Sequence, residues 1–124
     1  MEINITSQLE EILEEYGDNV KTLTAETEQA VSKAAAKELK VVSPVQQGGK
    51  KSGRYARGWR AKETEDGWVV YNATDPQLTH LLNNGHDLYV HGKYIRHLEG
   101  DNHIGDVEKK YVEKFEETIE RKLK

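Results

Sequence analysis

A chain of 124 residues with a net charge of −4, 35% hydrophobic and 32% charged side chains and no cysteine has room for one domain with a thin core. It offers no disulfide and no thiolate chemistry. Its acidic balance argues against a free-standing, non-specific nucleic-acid binder, which is usually basic. No apolar stretch approaches the ~20 residues that a membrane helix needs. Met1-Glu2-Ile3-Asn4 lacks the basic start and apolar run of a signal peptide, so the expectation is a soluble protein of the cytoplasm.

The charge is segregated. Residues 1–40 are acidic by a net five charges, and so are residues 63–124. Residues 41–62 carry Lys50, Lys51, Arg54, Arg57, Arg60 and Lys62 and no acidic side chain. A basic, glycine-rich segment in an acidic body suits a polyanion or an acidic protein neighbour.

In chain order, residues 7–40 read as one long helix or two nearly collinear ones. Ser7 is its expected N-cap and Glu10 the capping-box partner. Leu9, Ile12, Leu13, Tyr16, Val20, Leu23, Ala30, Val31, Ala34 and Leu39 recur at helical spacing. Gly17-Asp18-Asn19 is a point where it could kink. Ser43-Pro44 favours extended backbone, so the helix is expected to stop near Lys40. Residues 45–54 then form a loop with little apolar surface to bury.

Two strands are expected next, over residues 55–62 and 68–72, joined by a hairpin turn at Glu65-Asp66-Gly67. Asp75 and Pro76 suit the start of a short helix over residues 77–83, which ends at Asn84-Gly85. Residues 86–103 read either as a second hairpin around Gly92 or as a surface loop. Asp106 is the expected cap of a last helix to about residue 122, with Val107, Tyr111, Val112, Phe115, Ile119 and Leu123 on one face. The fold class is therefore α+β: a long N-terminal helix and a C-terminal helix packed on a small antiparallel sheet, with a short helix between, in a single domain.

Five histidines, at 80, 86, 91, 97 and 103, are separated by five or six residues. Zinc sites favour tight ligand pairs three or four apart, so surface and boundary imidazoles are expected, with His86 and His103 in structural roles. Glu10, Glu11, Glu14, Glu15, Glu116 and Glu117 lie on helix faces that read as solvated, unlike a general acid in a dry pocket. No serine sits in a nucleophile-elbow motif. Gly48-Gly49-Lys50-Lys51-Ser52 lacks the earlier glycine of a phosphate-binding loop and follows a helix rather than a strand.

Several blocks together resemble a family of small tailed-phage proteins, tail-component or head–tail joining subunits typified by the tenth gene product of a lambdoid coliphage. They are Ser43-Pro44, Gly53-Arg54-Tyr55-Ala56-Arg57-Gly58-Trp59, Val69-Val70-Tyr71-Asn72, Leu78-Thr79-His80-Leu81-Leu82-Asn83-Asn84-Gly85-His86 and His103-Ile104, followed by the charged last helix. The Leu-Thr-His-Leu-Leu block is the specific part. Where the family has Pro-Ala after His-Ile, this chain has Gly105-Asp106, and its basic loop is longer. The resemblance implies a structural virion component of the neck or tail, with no reaction, cofactor or metal. Such a subunit assembles in the host cytoplasm as a homo-oligomeric ring, a hexamer being one candidate. It docks on other connector or tail-tube proteins, touches packaged DNA non-specifically and meets no membrane.

On that reading Lys50, Lys51, Arg54 and Arg57 make inter-ring or DNA contacts. Trp59, Trp68, Tyr71, Leu78, Leu81 and Leu82 form core. His80, Gly85 and His86 hold the short helix and its exit turn, with His86 bonded to a backbone carbonyl. The alternative is a small nucleic-acid-binding protein that uses the basic stretch 50–62. A third reading is a metal-dependent hydrolase built on the histidines.

Overall fold

The computed structural model describes residues 1–7, 21–45, 53–65 and 67–123, and these form an α+β fold. Lys50, Lys51, Glu10 and the expected kink at residues 17–19 lie outside the described residues.

The chain opens with β1 (Ile3–Asn4), a strand the sequence reading missed. Residues 5–7 are helical, and the Ser7 N–H donates to Asn4 Oδ1 at 3.0 Å. Asn4 is therefore the cap and Ser7 lies inside the first turn, against the expected capping box. Helix α1 (Lys21–Val42) runs past Lys40, and the Ser43 N–H still donates to Leu39 O. Ser43 itself, before Pro44, is the first non-helical residue, so the proline acts two residues later than expected.

The first arginines do not belong to a strand. Arg54–Arg57 form a helical turn, α2, closed by Arg57 N–H to Gly53 O at 2.9 Å and Gly58 N–H to Tyr55 O at 3.0 Å. Strand β2 starts only at Trp59 (Trp59–Thr64). It pairs antiparallel with β3 (Gly67–Asn72), and β1 adds to the other edge of β3, giving the order β1-β3-β2. A Cβ on Gly58 would sit 2.0 Å from Thr74 Oγ1 and 2.8 Å from Asn72 Oδ1. Only glycine lets the turn pass this close.

Pro76–Leu78 form a 3-10 turn leading into α3 (Thr79–Asn84). Pro76 starts the turn as expected, but the Asp75 side chain makes no cap bond. Residues 85–99 take the hairpin alternative: β4 (Gly85–Val90) pairs with β5 (Lys93–Glu99) as a separate two-stranded sheet. Its turn, His91-Gly92, has both φ values positive, at 50° and 79°, which matches the twist of a two-residue hairpin. Helix α4 (His103–Leu123) closes the fold.

The core gathers Ile3, Ile5, Val31, Ala35, Leu39, Tyr55, Trp59, Val70, Ile104, Val107, Tyr111, Phe115 and Ile119. Helix α1 is central, touching both the sheet and α4. It brings small side chains inward, Ser32, Ala35 and Ala36, and the expected Ala30 is exposed. Glu38 pairs with Lys110 and Thr27 accepts from Lys122 Nζ, so α1 and α4 run antiparallel.

Several expected core residues are corrected by the register. Trp59 is fully buried. Trp68, Leu78 and Leu82 are half-buried and pack against the core from outside. Tyr71 pairs with Arg60 on the outer face of the sheet, and Lys62 Nζ lies 4.5 Å above its ring. Val70 and Asn72, the residues on either side of it, take the inward positions. Leu81 is only half-buried and stands outside the core cluster.

The start of α4 differs from expectation too. The helix begins three residues before Asp106. Its first N–H, at His103, donates to Asp101 Oδ1, those of Ile104 and Gly105 to Asn83 Oδ1, and that of Asp106 to Asn102 O. The three amides that precede the helix's own first bond are satisfied, two of them by a residue 21 and 22 positions upstream. Asp106 receives Asn102 Nδ2 instead of capping. Replacing Asn83 with Ala should lower stability by about 1–3 kcal/mol, because the buried Ile104 N–H and the part-buried Gly105 N–H lose their acceptor. Urea denaturation should show an earlier midpoint with an unchanged slope.

Candidate functional site

The strongest concentration of functional chemistry is a basic cleft of about 390 Å³ lined by Lys40, Arg54, Arg57, Arg60 and Thr74. Four elements build it. Lys40 comes from the last turn of α1, Arg54 and Arg57 from α2, Arg60 from β2, and Thr74 from the segment after β3.

Asn72 is the hub that holds these pieces. Its Nδ2 donates to Tyr55 O at 2.8 Å, and its Oδ1 accepts the N–H groups of Thr74 (3.2 Å) and Asp75 (2.8 Å). Thr74 Oγ1 lies 2.9 Å from Arg54 O and 3.1 Å from Asn72 Oδ1 and can donate to either. The guanidiniums of Arg54 and Arg60 are pinned to backbone. Arg54 Nη2 donates to Thr74 O at 3.2 Å, and its Nε lies 3.4 Å from Asp75 Oδ2. Arg60 Nη1 donates to the carbonyls of Arg57 (2.5 Å) and Trp59 (2.9 Å). Asp75, which caps nothing, thus offsets one charge of the cleft. Arg fork donors fixed in this way suit carboxylate or phosphate oxygens.

The cleft unites Arg54 and Arg57 of the expected contact set with Lys40 and Arg60. Arg60 was visible in the basic run. Lys40 was not, because it lies outside residues 41–62 in sequence and joins the arginines only where α1 ends beside α2. Lys62 turns away to Tyr71.

Behind the cleft lies a buried polar relay. Tyr55 Oη is 2.7 Å from His103 Nε2, and His103 Nδ1 is 2.5 Å from Asp101 Oδ1. The Asp101 carboxylate accepts from Nδ1–H, so in the neutral imidazole Nε2 accepts from the Tyr55 hydroxyl. Burial raises the Tyr55 phenol well above its ordinary value, with the negative charge of Asp101 adding to the shift. Trp59 packs edge-on to both rings and donates Nε1–H to Ser43 Oγ at 2.8 Å. The relay resembles a triad in its order of contacts, but Tyr55 and His103 are buried and pin α2 to the start of α4.

The other histidines separate. His80 is exposed and does not brace the short helix. His86 is half-buried, and its Nδ1 is buried with no hydrogen-bond partner, against the expected carbonyl bond. His97 sits 2.9 Å from Asp87 on the exposed hairpin. Among the described residues no three His, Asp or Glu side chains come together to hold a metal ion. Gly85 does have the expected role. Its N–H donates to Leu81 O and its φ is 87°. A Cβ there would meet Leu98 O at 2.6 Å and Gly100 N at 2.8 Å.

Among the described residues no helix is long and apolar enough to cross a membrane. No protein-family model matches the chain, and no curated protein or solved structure matches it either.

The raised Tyr55 pKa sets a sign for pH dependence. Its contribution is fully present below the unfolded value of 10.0 and declines as pH rises above it, since the unfolded chain then gives up a proton the folded one keeps. Tyr55→Phe should flatten this alkaline loss in a pH series of thermal melts. At neutral pH the same variant should cost about 1–2 kcal/mol, because His103 Nε2 is left buried without a partner.

Proposed function

We propose that this chain is a structural component of a tailed-phage particle, a head–tail connector or tail-completion subunit that works by assembling as a ring. The observation that carries the proposal is surface rather than pocket. The β4–β5 hairpin stands apart from the three-stranded sheet and exposes Tyr89, Val90, Tyr94 and Ile95, each about half accessible to solvent. An isolated two-stranded hairpin is marginal in water, and grouped exposed apolar side chains mark interaction surfaces. Tyr89 and Tyr94 already pack edge to face at 5.8 Å, which gives a neighbour a rigid aromatic knob to cover.

Two further points support the reading. Residues that carry the sequence resemblance converge on one internal cluster: Ser43 Oγ accepts the Trp59 indole N–H, Asn72 Nδ2 donates to Tyr55 O, and the Tyr55 hydroxyl donates to His103 Nε2. A basic cleft in an acidic body also suits contacts between subunits, with non-specific contact to packaged DNA as a secondary use. In this proposal the protein acts by occupying the neck or tail of the virion, docked on other connector or tail-tube proteins. No catalytic residue, cofactor or metal enters it.

Electron microscopy of particles made by a phage lacking this gene tests the proposal. Separate full heads and loose tails are expected, with restoration on supplying the protein in trans. Intact infectious virions would refute it.

A further inference from the structure

The β4–β5 hairpin leaves and rejoins the body at one crowded point. Gly85 opens β4 and pairs with Glu99 at the end of β5. A Cβ on Gly85 would lie 2.6 Å from Leu98 O and 2.8 Å from Gly100 N. One on Gly100 would lie 2.5 Å from both Asn84 C and Gly85 N. The returning chain therefore presses on the Asn84–Gly85 peptide bond itself. Just beyond, the Asp101 and Asn102 N–H groups donate to Leu82 O and Asn83 O at 3.3 and 3.0 Å, which clamps the exit against α3.

That peptide bond is the only Asn-Gly step in the sequence. An asparagine side-chain amide is open to attack by the backbone nitrogen that follows it, and glycine, with no Cβ, hinders the approach least. Two contacts bear on this reaction in opposite directions. The Gly85 N–H donates to Leu81 O, so the nucleophile is occupied and Asn84 is held in the last turn of α3. Against this, Asn84 is exposed, and its Oδ1 accepts from Asn83 Nδ2 at 2.7 Å. Asn83 is buried, and its Oδ1 is fixed by the N–H groups of Ile104 and Gly105. Its Nδ2 is thus a preorganised donor on the oxygen where negative charge develops as Cγ is attacked. Position outweighs polarisation, because no donor helps until the nitrogen is in reach of Cγ. The last turn of α3 is the gate, and a helix end opens more easily than the whole domain.

We propose that Asn84 is a self-modifying site, held closed by the last turn of α3, whose conversion to isoaspartate unseats the hairpin. The Gly85 nitrogen bonds to Asn84 Cγ and passes its proton, through solvent, to the side-chain amide. The bond from Cγ to that amide nitrogen breaks, and ammonia departs from a cyclic succinimide. Water then opens the ring. Opening at Cγ gives aspartate with the ordinary backbone. Opening at the main-chain carbonyl gives isoaspartate, whose chain runs through Cβ and Cγ and is one carbon longer. The crossing with Gly100, which has no room for a Cβ, has none for an added backbone carbon. Under the ring reading above, a neighbour that covers the hairpin also holds its root closed, so unassembled copies are the ones that age.

The test is to hold the full chain in mildly alkaline buffer, native or in guanidinium chloride, and follow Asn84 by peptide mass mapping. Conversion of amide to acid, with isoaspartate among the products, is expected at Asn84 in denaturant, and about tenfold more slowly in the native chain. After refolding, hydrogen exchange should show residues 85–99 unprotected in a fraction equal to the isoaspartate content. Asn84→Asp supplies the new charge on an ordinary backbone and still accepts from Asn83, so its hairpin should exchange like wild type. An Asn84 that stays intact in denaturant overturns the proposal, as does native conversion as fast as denatured. A refolded isoaspartate population with a fully protected hairpin also overturns it, and so does equal loss of protection in Asn84→Asp. The isolated chain decides this chemistry, and the virion experiment decides the connector reading separately.

Discussion

Buried backbone amides must find partners, and in so thin a core that constraint organises the rest. Asn83 and Asn72 are both buried, and each satisfies backbone groups that no ladder or helix can reach. Asn83 joins α3 to the first turn of α4 and, through its own carbonyl, holds Asn102. Asn72 ends β3 and gathers Tyr55, Thr74 and Asp75. Removing such a side chain would leave donors desolvated and unpaired, which is costlier than the bond itself is stabilising.

Those two hubs also place the chemistry. The arginine turn can lie beside β3 because Asn72 and Thr74 hold its carbonyls and Gly58 leaves no Cβ in the way. The Tyr55–His103–Asp101 relay then fastens the turn to α4. Fixing the turn from both sides sets Arg54 and Arg57 next to Arg60 and the end of α1. A flexible basic loop would meet an anion at an entropic cost. The guanidiniums of Arg54 and Arg60, already tied to backbone carbonyls, meet it preorganised.

The same economy explains why so much surface is left incomplete. The apolar residues of α1 are mostly small, so it lets the sheet and α4 approach closely but buries little area per residue. The aromatic pair on the hairpin stays outside that core, and it is the surface a neighbouring subunit would cover in the proposed ring.

The α+β class, the β2–β3 hairpin, the short helix with Gly85 at its exit and the amphipathic last helix were legible in the residues alone. Each depends on local physics: alternation, helical spacing and turn chemistry. The arginine turn was misread as strand because Tyr55, Arg57 and Trp59 alternate convincingly, and only packing against Thr74 and Asn72 selects the helical form. Tyr71 and Leu81 were assigned to the core by hydrophobicity, but which face is inward depends on register and on what covers it. The start of α4 was misplaced because two of its first amides, those of Ile104 and Gly105, take an acceptor, Asn83, that is distant in sequence. The charge segregation was written in the order of the residues. That Lys40 joins the arginines while Lys62 turns to Tyr71 was decided only by the tertiary structure, because a cleft is made of elements brought together by burial, and no local rule records which ones meet.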